Sequence, residues 1–454
     1  MKLVLHIGTE KTATSTIQEF LYFNRQLLAE HSIALSDYLD VPNNRKLAAY
    51  CMPPNIFDSY LNDRKINTVD QKDNYFVSFL DDFKDEINRL SLSAEKIIIT
   101  SEHFHSRLIS RESILKLKNI LDDLFTDIKI ICYFREQSAV AKSLYSTSIK
   151  VGDYQNFEDF LLKVSPNSHY YNYFTLLTKW SDIFGKECLI TRLFQKETWV
   201  EGDIRKDFIS TVDDKININD FDYSLPDTNK SLGLIGMELG KINNRINPMY
   251  DENGSRNRIR EKISAVIESS ALSQIGSLYF PNAALMYDSF SESNIAFARE
   301  FLGKELNPFS KPKNHSTESA DYPAEFYHSL LGFFENLLKA FNEIPRIDDK
   351  YATTLRDIAI KISNQEELNI IDARDLMEIA SIIRPEGKFI SDTLLDFNRE
   401  ANSLSYTETR KKHSFYSGRI PNIWGYIENL FFIIALAIPS NAVNLFLYNP
   451  LFEQ

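Results

Sequence analysis

The sequence predicts an α/β fold, a parallel sheet covered on both faces by helices, followed by a mainly helical C-terminal region. Three observations carry this. Short apolar runs recur at 2–7 (KLVLHI), 96–100 (KIIIT), 128–134 (IKIICYF) and 188–194 (CLITRLF). None alternates with polar residues, which is the pattern of strands buried on both faces. Amphipathic helical periodicity fills the intervals, and beyond about residue 207 it takes over altogether.

The elements follow in order. The first run ends at Gly8, and a helical pattern over about 15–29 places Ile17, Phe20, Leu21 and Leu28 on one face. Helical patterns at 75–92 and 110–124 bracket KIIIT. IKIICYF leads into one that reaches Lys150, and another at 171–184 precedes CLITRLF. These segments read as a three-layer α/β domain. Later helical patterns lie at 231–244, 294–302, 324–341, 351–362 and 372–383. The polar, proline-containing stretch 307–322 (NPFSKPKNHSTESADY) is the linker candidate, so the expected division is a domain over 1–310 and a helical region over 311–454.

Composition narrows the function. The 454 residues carry 51 Lys+Arg against 63 Asp+Glu, a net charge of −12, which lacks the basic footprint of a nucleic-acid binder. The three cysteines, Cys51, Cys132 and Cys188, show no CxxC spacing, so neither a disulfide framework nor a zinc site is expected. That usage fits a reducing, cytoplasmic compartment. The apolar N-terminal run is too short for a secretory signal. Near the C-terminus, 430–439 (LFFIIALAIP) is the most apolar stretch, flanked by Trp424, Tyr426, Phe446 and Tyr448. Ten residues cannot cross a ~30 Å hydrocarbon core, which needs about 20 as helix. The segment is a buried helix or, within 424–448, a peripheral membrane or partner-docking element.

After the first strand comes Gly8-Thr9-Glu10-Lys11-Thr12-Ala13-Thr14-Ser15-Thr16. A glycine, a lysine and several hydroxyls at a helix start form a phosphate cradle, because the helix N-terminus adds unpaired N–H groups and the positive end of its dipole. A Walker A loop would need a glycine directly before the lysine, and none is there. IKIICYF ends at Arg135, with Ser143 eight residues on in REQSAVAKSLYS; a guanidinium and an early-helix hydroxyl suit a second phosphate.

Together these segments resemble sulfotransferases that use 3′-phosphoadenosine 5′-phosphosulfate (PAPS), in particular bacterial carbohydrate- or glycoconjugate-type members. HIGTEKTATSTIQ is similar to their phosphosulfate loop HIGxxKTGTTSIQ, with Ala13 in place of the loop glycine, and the Arg135–Ser143 spacing is similar to their 3′-phosphate site. CLITRLFQKETWVEGDIRKDFIS resembles a later family segment, which would put Phe194 near the adenine. NKSL at 229–232, with Lys230, and LMEIASIIRPEGKFI resemble further family stretches. The resemblance covers about 1–310.

It implies a P-loop-like sheet and transfer of the sulfuryl group of PAPS to a hydroxyl of a glycan or glycoconjugate, with 3′,5′-bisphosphate as product and no metal. Lys11, Thr12, Ala13, Thr14, Ser15, Thr16, Arg135, Ser143 and Phe194 would bind the nucleotide, and Lys11 would also stabilise the leaving phosphate. For the base, KIIIT opens into Ser101-Glu102-His103-Phe104-His105. Continued strand alternation would set Glu102 and Phe104 on one side and the two histidines on the other. Glu102 is the first choice, His105 the second and His103 the third; His6 reads as core or support. The alternatives are an ATP-dependent P-loop phosphotransferase and a catalytically degenerate scaffold of the same fold.

Overall fold

Alternation within the first strand decides the architecture. In β1 (Lys2–His6) Leu3 and Leu5 point to one face and Val4 to the other, and all three are buried. The computed structural model describes residues 1–225, 231–251, 254–312, 356–357, 360, 377 and 388–403. β1 pairs in parallel with β3 (Lys96–Thr100) on one side and β4 (Asp127–Phe134) on the other. β2 (Ile33–Leu35) pairs with β3, and β5 (Leu189–Leu193) with β4, giving the all-parallel order β2-β3-β1-β4-β5. Ile97, Ile98 and Ile99 are all 0% exposed, as expected of a run covered on both faces.

The helices up to β4 are α1 (Thr14–Phe23), α2 (Arg25–Glu30), α3 (Arg45–Cys51), α4 (Ser59–Asn62), α5 (Val69–Tyr75), α6 (Phe79–Leu90), α7 (His103–Arg107) and α8 (Arg111–Leu124). Beyond it come α9 (Gln137–Lys150), α10 (Phe157–Leu161), α11 (Tyr173–Phe184), α12 (Ile204–Val212), α13 (Leu234–Ile246), α14 (Arg258–Ser269), α15 (Ala283–Ser289) and α16 (Ser291–Leu302). One face of the sheet packs on α3, α6, α8, α11 and α16, through Leu47, Phe83, Leu117, Trp180 and Phe297. The other packs on α1, α2 and α12, through Phe20, Leu28 and Phe208. These are the three layers.

The structure departs from the sequence reading in identifiable places. The helix expected over 15–29 breaks at Asn24, whose amide donates to the Asp222 carbonyl (2.9 Å) and whose Oδ1 accepts from the Asp222 N–H (2.7 Å). The pattern at 75–92 is realised as α6 from Phe79 on, and Tyr75 closes the separate helix α5 before it. β2 has no counterpart among the apolar runs of the sequence, because three residues are too few to show periodicity. Residues 103–107 turn into a helix, so the alternation expected for Glu102, His103, Phe104 and His105 does not hold. α3, α4, α10, α12, α14 and α15 likewise lie outside the helical patterns of the sequence.

By internal contacts the chain divides into two units, Met1–Ile344 and Pro345–Gln454. The sheet lies in the first. In the second, the described residues include the helix Lys388–Ser403, with Ile390 and Phe397 buried. The linker candidate from 313 on, the helical patterns at 324–341, the greater part of those at 351–362 and 372–383, Lys230, and the apolar segment at 424–448 lie outside the described residues. Among the described residues no helix is long and apolar enough to cross a membrane.

Candidate active site

The order of the sheet creates the site. From β1 the chain moves outward to β2, returns to β3, then crosses β1 to reach β4 and β5. Ligands of open parallel sheets bind beyond the carboxyl ends of the strands where the order reverses. The carboxyl ends here carry the Gly8–Thr16 loop after β1, Glu102 after β3, Arg135 after β4 and Phe194 after β5.

The loop stays anchored to the sheet. The Thr9 N–H and hydroxyl both donate to the Tyr133 carbonyl (2.9 and 3.1 Å), and the Tyr133 N–H donates to Gly8 O (2.7 Å). Gly8 has φ +102°, and a Cβ there would lie 3.2 Å from Glu102 Cα, so only glycine lets the β1 loop and Glu102 approach this closely. The Thr12 hydroxyl donates to Thr9 O (2.6 Å), which closes the loop from within. Helix α1 then starts at Thr14 with no side-chain cap on its first turn, where Thr14, Ser15 and Thr16 lie. An anion would complete such a terminus.

Ala13 precedes α1 in the left-handed region, φ 59° and ψ 32°. An L side chain costs about 1–2 kcal/mol there, and glycine does not. Ala13→Gly should therefore stabilise the fold by about 1 kcal/mol, read as a higher melting temperature. No gain would mean that this position carries no strain.

Three cationic and aromatic groups border the loop. The Arg135 Nη1 donates to the Lys11 carbonyl (3.2 Å), and its guanidinium lies 5.3 Å from the centre of the Phe194 ring. The Lys11 ammonium donates to the Thr147 hydroxyl on α9, which donates to the carbonyl of Ser143 one turn earlier (3.3 Å). Lys11, Arg135 and the Ser143–Thr147 edge of α9 are thus brought together, with Phe194 alongside. Burial lowers the Lys11 pKa, against the pull of the Glu10 and Glu102 carboxylates, and burial also lowers that of Arg135.

On the β3 side, both Glu102 oxygens accept amide N–H groups: Gln18 Nε2 at 2.9 Å, and Asn43 Nδ2 at 3.0 Å to each. His103 Nε2 lies 3.9 Å from Glu102, and burial lowers its pKa. His105 is fully buried; its Nε2 donates to the Tyr170 carbonyl (3.0 Å) and its Nδ1 accepts from the Glu10 N–H (3.4 Å). Both ring nitrogens are engaged, and burial holds the ring neutral. His6 is a core residue whose Nδ1 meets the Thr100 hydroxyl at 2.8 Å, its pKa pushed down to about 3 by burial.

Sequence reasoning missed Gln18, Asn43, Glu10, Tyr170 and Thr147. Glu10 accepts from the Tyr170 hydroxyl (2.9 Å) and lies 3.9 Å from Arg107, which also pairs with Asp58 (3.3 Å). Burial would raise the Glu10 pKa, but the hydrogen bond from Ser106 and the charge of Arg107 lead the contributions that outweigh it and hold the carboxyl low. Thr147 could have been found from Ser143, since i and i+4 share a helix face. Among the described residues no cluster of three or more His, Cys, Asp or Glu side chains is arranged to hold a metal ion.

No family model matches the chain. Over 116 residues, 26% of its length, it is 28% identical to an uncharacterized protein of Archaeoglobus fulgidus, of which the match spans 30%. Among solved structures it is similar to a sulfotransferase from Alicyclobacillus acidocaldarius, with a TM-score of 0.30 and 18% identity over 52% of this chain and 87% of that one.

Proposed function

We propose that this protein transfers the sulfuryl group of PAPS to a hydroxyl of a glycan or glycoconjugate. The observation that carries the reading is convergence: segments spread in sequence from Gly8 to Phe194, each read as nucleotide-binding or catalytic, end at the carboxyl edge of one parallel sheet. They meet where its strand order reverses.

In this reading the uncapped α1 terminus, with Ser15 and Thr16, holds the 5′-phosphosulfate, and Arg135 with Ser143 holds the 3′-phosphate. Phe194, already beside the guanidinium, offers a ring to the adenine. The acceptor oxygen attacks sulfur as the bond from sulfur to the 5′-phosphate oxygen breaks. The acceptor proton passes to Glu102, and the electron pair leaves with the bisphosphate, where Lys11 stabilises the developing charge. His105, with both nitrogens bonded to backbone, braces the Glu10 end of the loop against Tyr170. The acceptor class rests on the sequence resemblance alone.

The test is calorimetric titration with 3′,5′-bisphosphate and with 5′-AMP in metal-free buffer, beside a separate titration with ATP in buffer containing Mg²⁺. Tight binding of the bisphosphate only is the expected result. Preference for Mg-ATP would instead support a phosphotransferase, and bisphosphate binding without turnover of PAPS a degenerate scaffold.

A further inference from the structure

Asn43 is absent from every motif that the sequence offers, yet it makes two of the three amide contacts to Glu102. It lies in the connection between β2 and α3, and the next residue locks that connection in place. Asn44 is fully buried; its N–H donates to Thr100 O (2.9 Å), its Oδ1 accepts from the Thr100 N–H (2.9 Å), and its Nδ2 donates to Asp40 O (2.9 Å). The Asn43 loop is therefore tied to the last residue of β3, two positions before Glu102.

The orientation of the Asn43 amide is informative. Its Nδ2 reaches both carboxylate oxygens, while its Oδ1 is buried with no hydrogen-bond partner. Leaving a buried oxygen unpaired is unfavourable, but the flipped amide would set that oxygen against a carboxylate. As oriented, the amide spends its N–H groups on the carboxyl group and leaves its own oxygen without a partner. Gln18 completes it from α1, whose first turn follows the phosphate loop.

Resting on the reading of Glu102 as base, we propose that Asn43 is a positioning residue, which with Gln18 holds the Glu102 carboxyl group fixed in direction beside the β1 loop. The other charged and titratable groups facing Glu102 are Lys11 of that loop and His103 next to it; the His103 ring also faces Glu10, Arg45 and Arg107.

The experiment measures bisphosphate release from PAPS with water as acceptor, across pH, in wild type, Asn43→Ala and Asn43→Asp. Here the water oxygen bonds to sulfur, the bond from sulfur to the 5′-phosphate oxygen breaks, and the water proton goes to Glu102. Bisphosphate titration and melting temperature verify that each variant is folded and loaded. Asn43→Ala should turn over roughly tenfold more slowly with unchanged nucleotide affinity, because the base is present but no longer aimed. Asn43→Asp sets two carboxylates within hydrogen-bond distance, and the acid limb of its rate profile should move to higher pH by about one unit or more. A merely structural role would leave that limb in place. Wild-type rates and an unmoved acid limb in folded, bisphosphate-binding variants would overturn the inference alone, whereas a wild type that binds no bisphosphate would overturn the sulfuryl-transfer reading beneath it.

Discussion

Glu102→Gln should lower turnover of PAPS by roughly 10²–10⁴-fold while leaving bisphosphate affinity near that of wild type, the range expected when a general base is removed. The amide keeps the shape of the carboxylate and can still offer an oxygen to Gln18 or Asn43, so the fold and the β1 loop should be conserved. What is lost is the capacity to take the acceptor proton. Rates at saturating and at low PAPS should fall together, since the interaction is made in the transition state. Normal turnover would remove Glu102 from the role and direct attention to Glu10, the other carboxylate near Lys11.

Asp207→Ala should cost about 3 kcal/mol of stability, the lower end of what breaking a buried pair costs. Asp207 is 0% exposed, and its Oδ2 accepts from the Tyr133 hydroxyl (2.7 Å) and from Arg192 Nε (3.2 Å). Its Oδ1 accepts from Arg192 Nη2 and from the Val200 N–H (3.3 Å). One carboxylate thus joins β4, β5 and α12. Removing it leaves the Tyr133 hydroxyl buried without its acceptor, whereas Arg192, with a side chain 34% exposed, can turn to water, which limits the loss. A melting temperature lower by roughly 4–5 °C would be the readout. Because Tyr133 also anchors Thr9 and Gly8, nucleotide affinity should weaken with it. A variant as stable as wild type would show that the network is dispensable.

What was legible in the sequence follows from how locally each feature is encoded. IKIICYF and KIIIT declare buried parallel strands because both of their faces are apolar, and the segments after them carry their chemistry within a few residues. The Asp207 network shows the limit: GDIRKDF was read as a family-like run, and only the fold reveals that its second aspartate is a buried tie between strands. The roles of Asn43, Gln18 and Tyr170 toward the site could not be read, Gln18 included although it closes the loop motif, since they depend on partners 59, 84 and 160 residues away. The turn of 103–107 into a helix was missed for a related reason. Five residues are too few to show a period, and HFHSR fits strand alternation as well as a helical turn.

The central claim is that Arg135 and the loop after β1 form one site for a nucleotide carrying phosphates at both the 5′ and 3′ positions. Calorimetric titration of wild type and Arg135→Ala with 3′,5′-bisphosphate and with 5′-AMP, in metal-free buffer, tests it most directly. A charge-assisted contact is worth about 1.5–3 kcal/mol, so Arg135→Ala should lose roughly 10- to 100-fold in bisphosphate affinity and little in the already weak binding of 5′-AMP. Equal affinity of wild type for the two ligands, or an Arg135→Ala variant that binds the bisphosphate as wild type does, would contradict it.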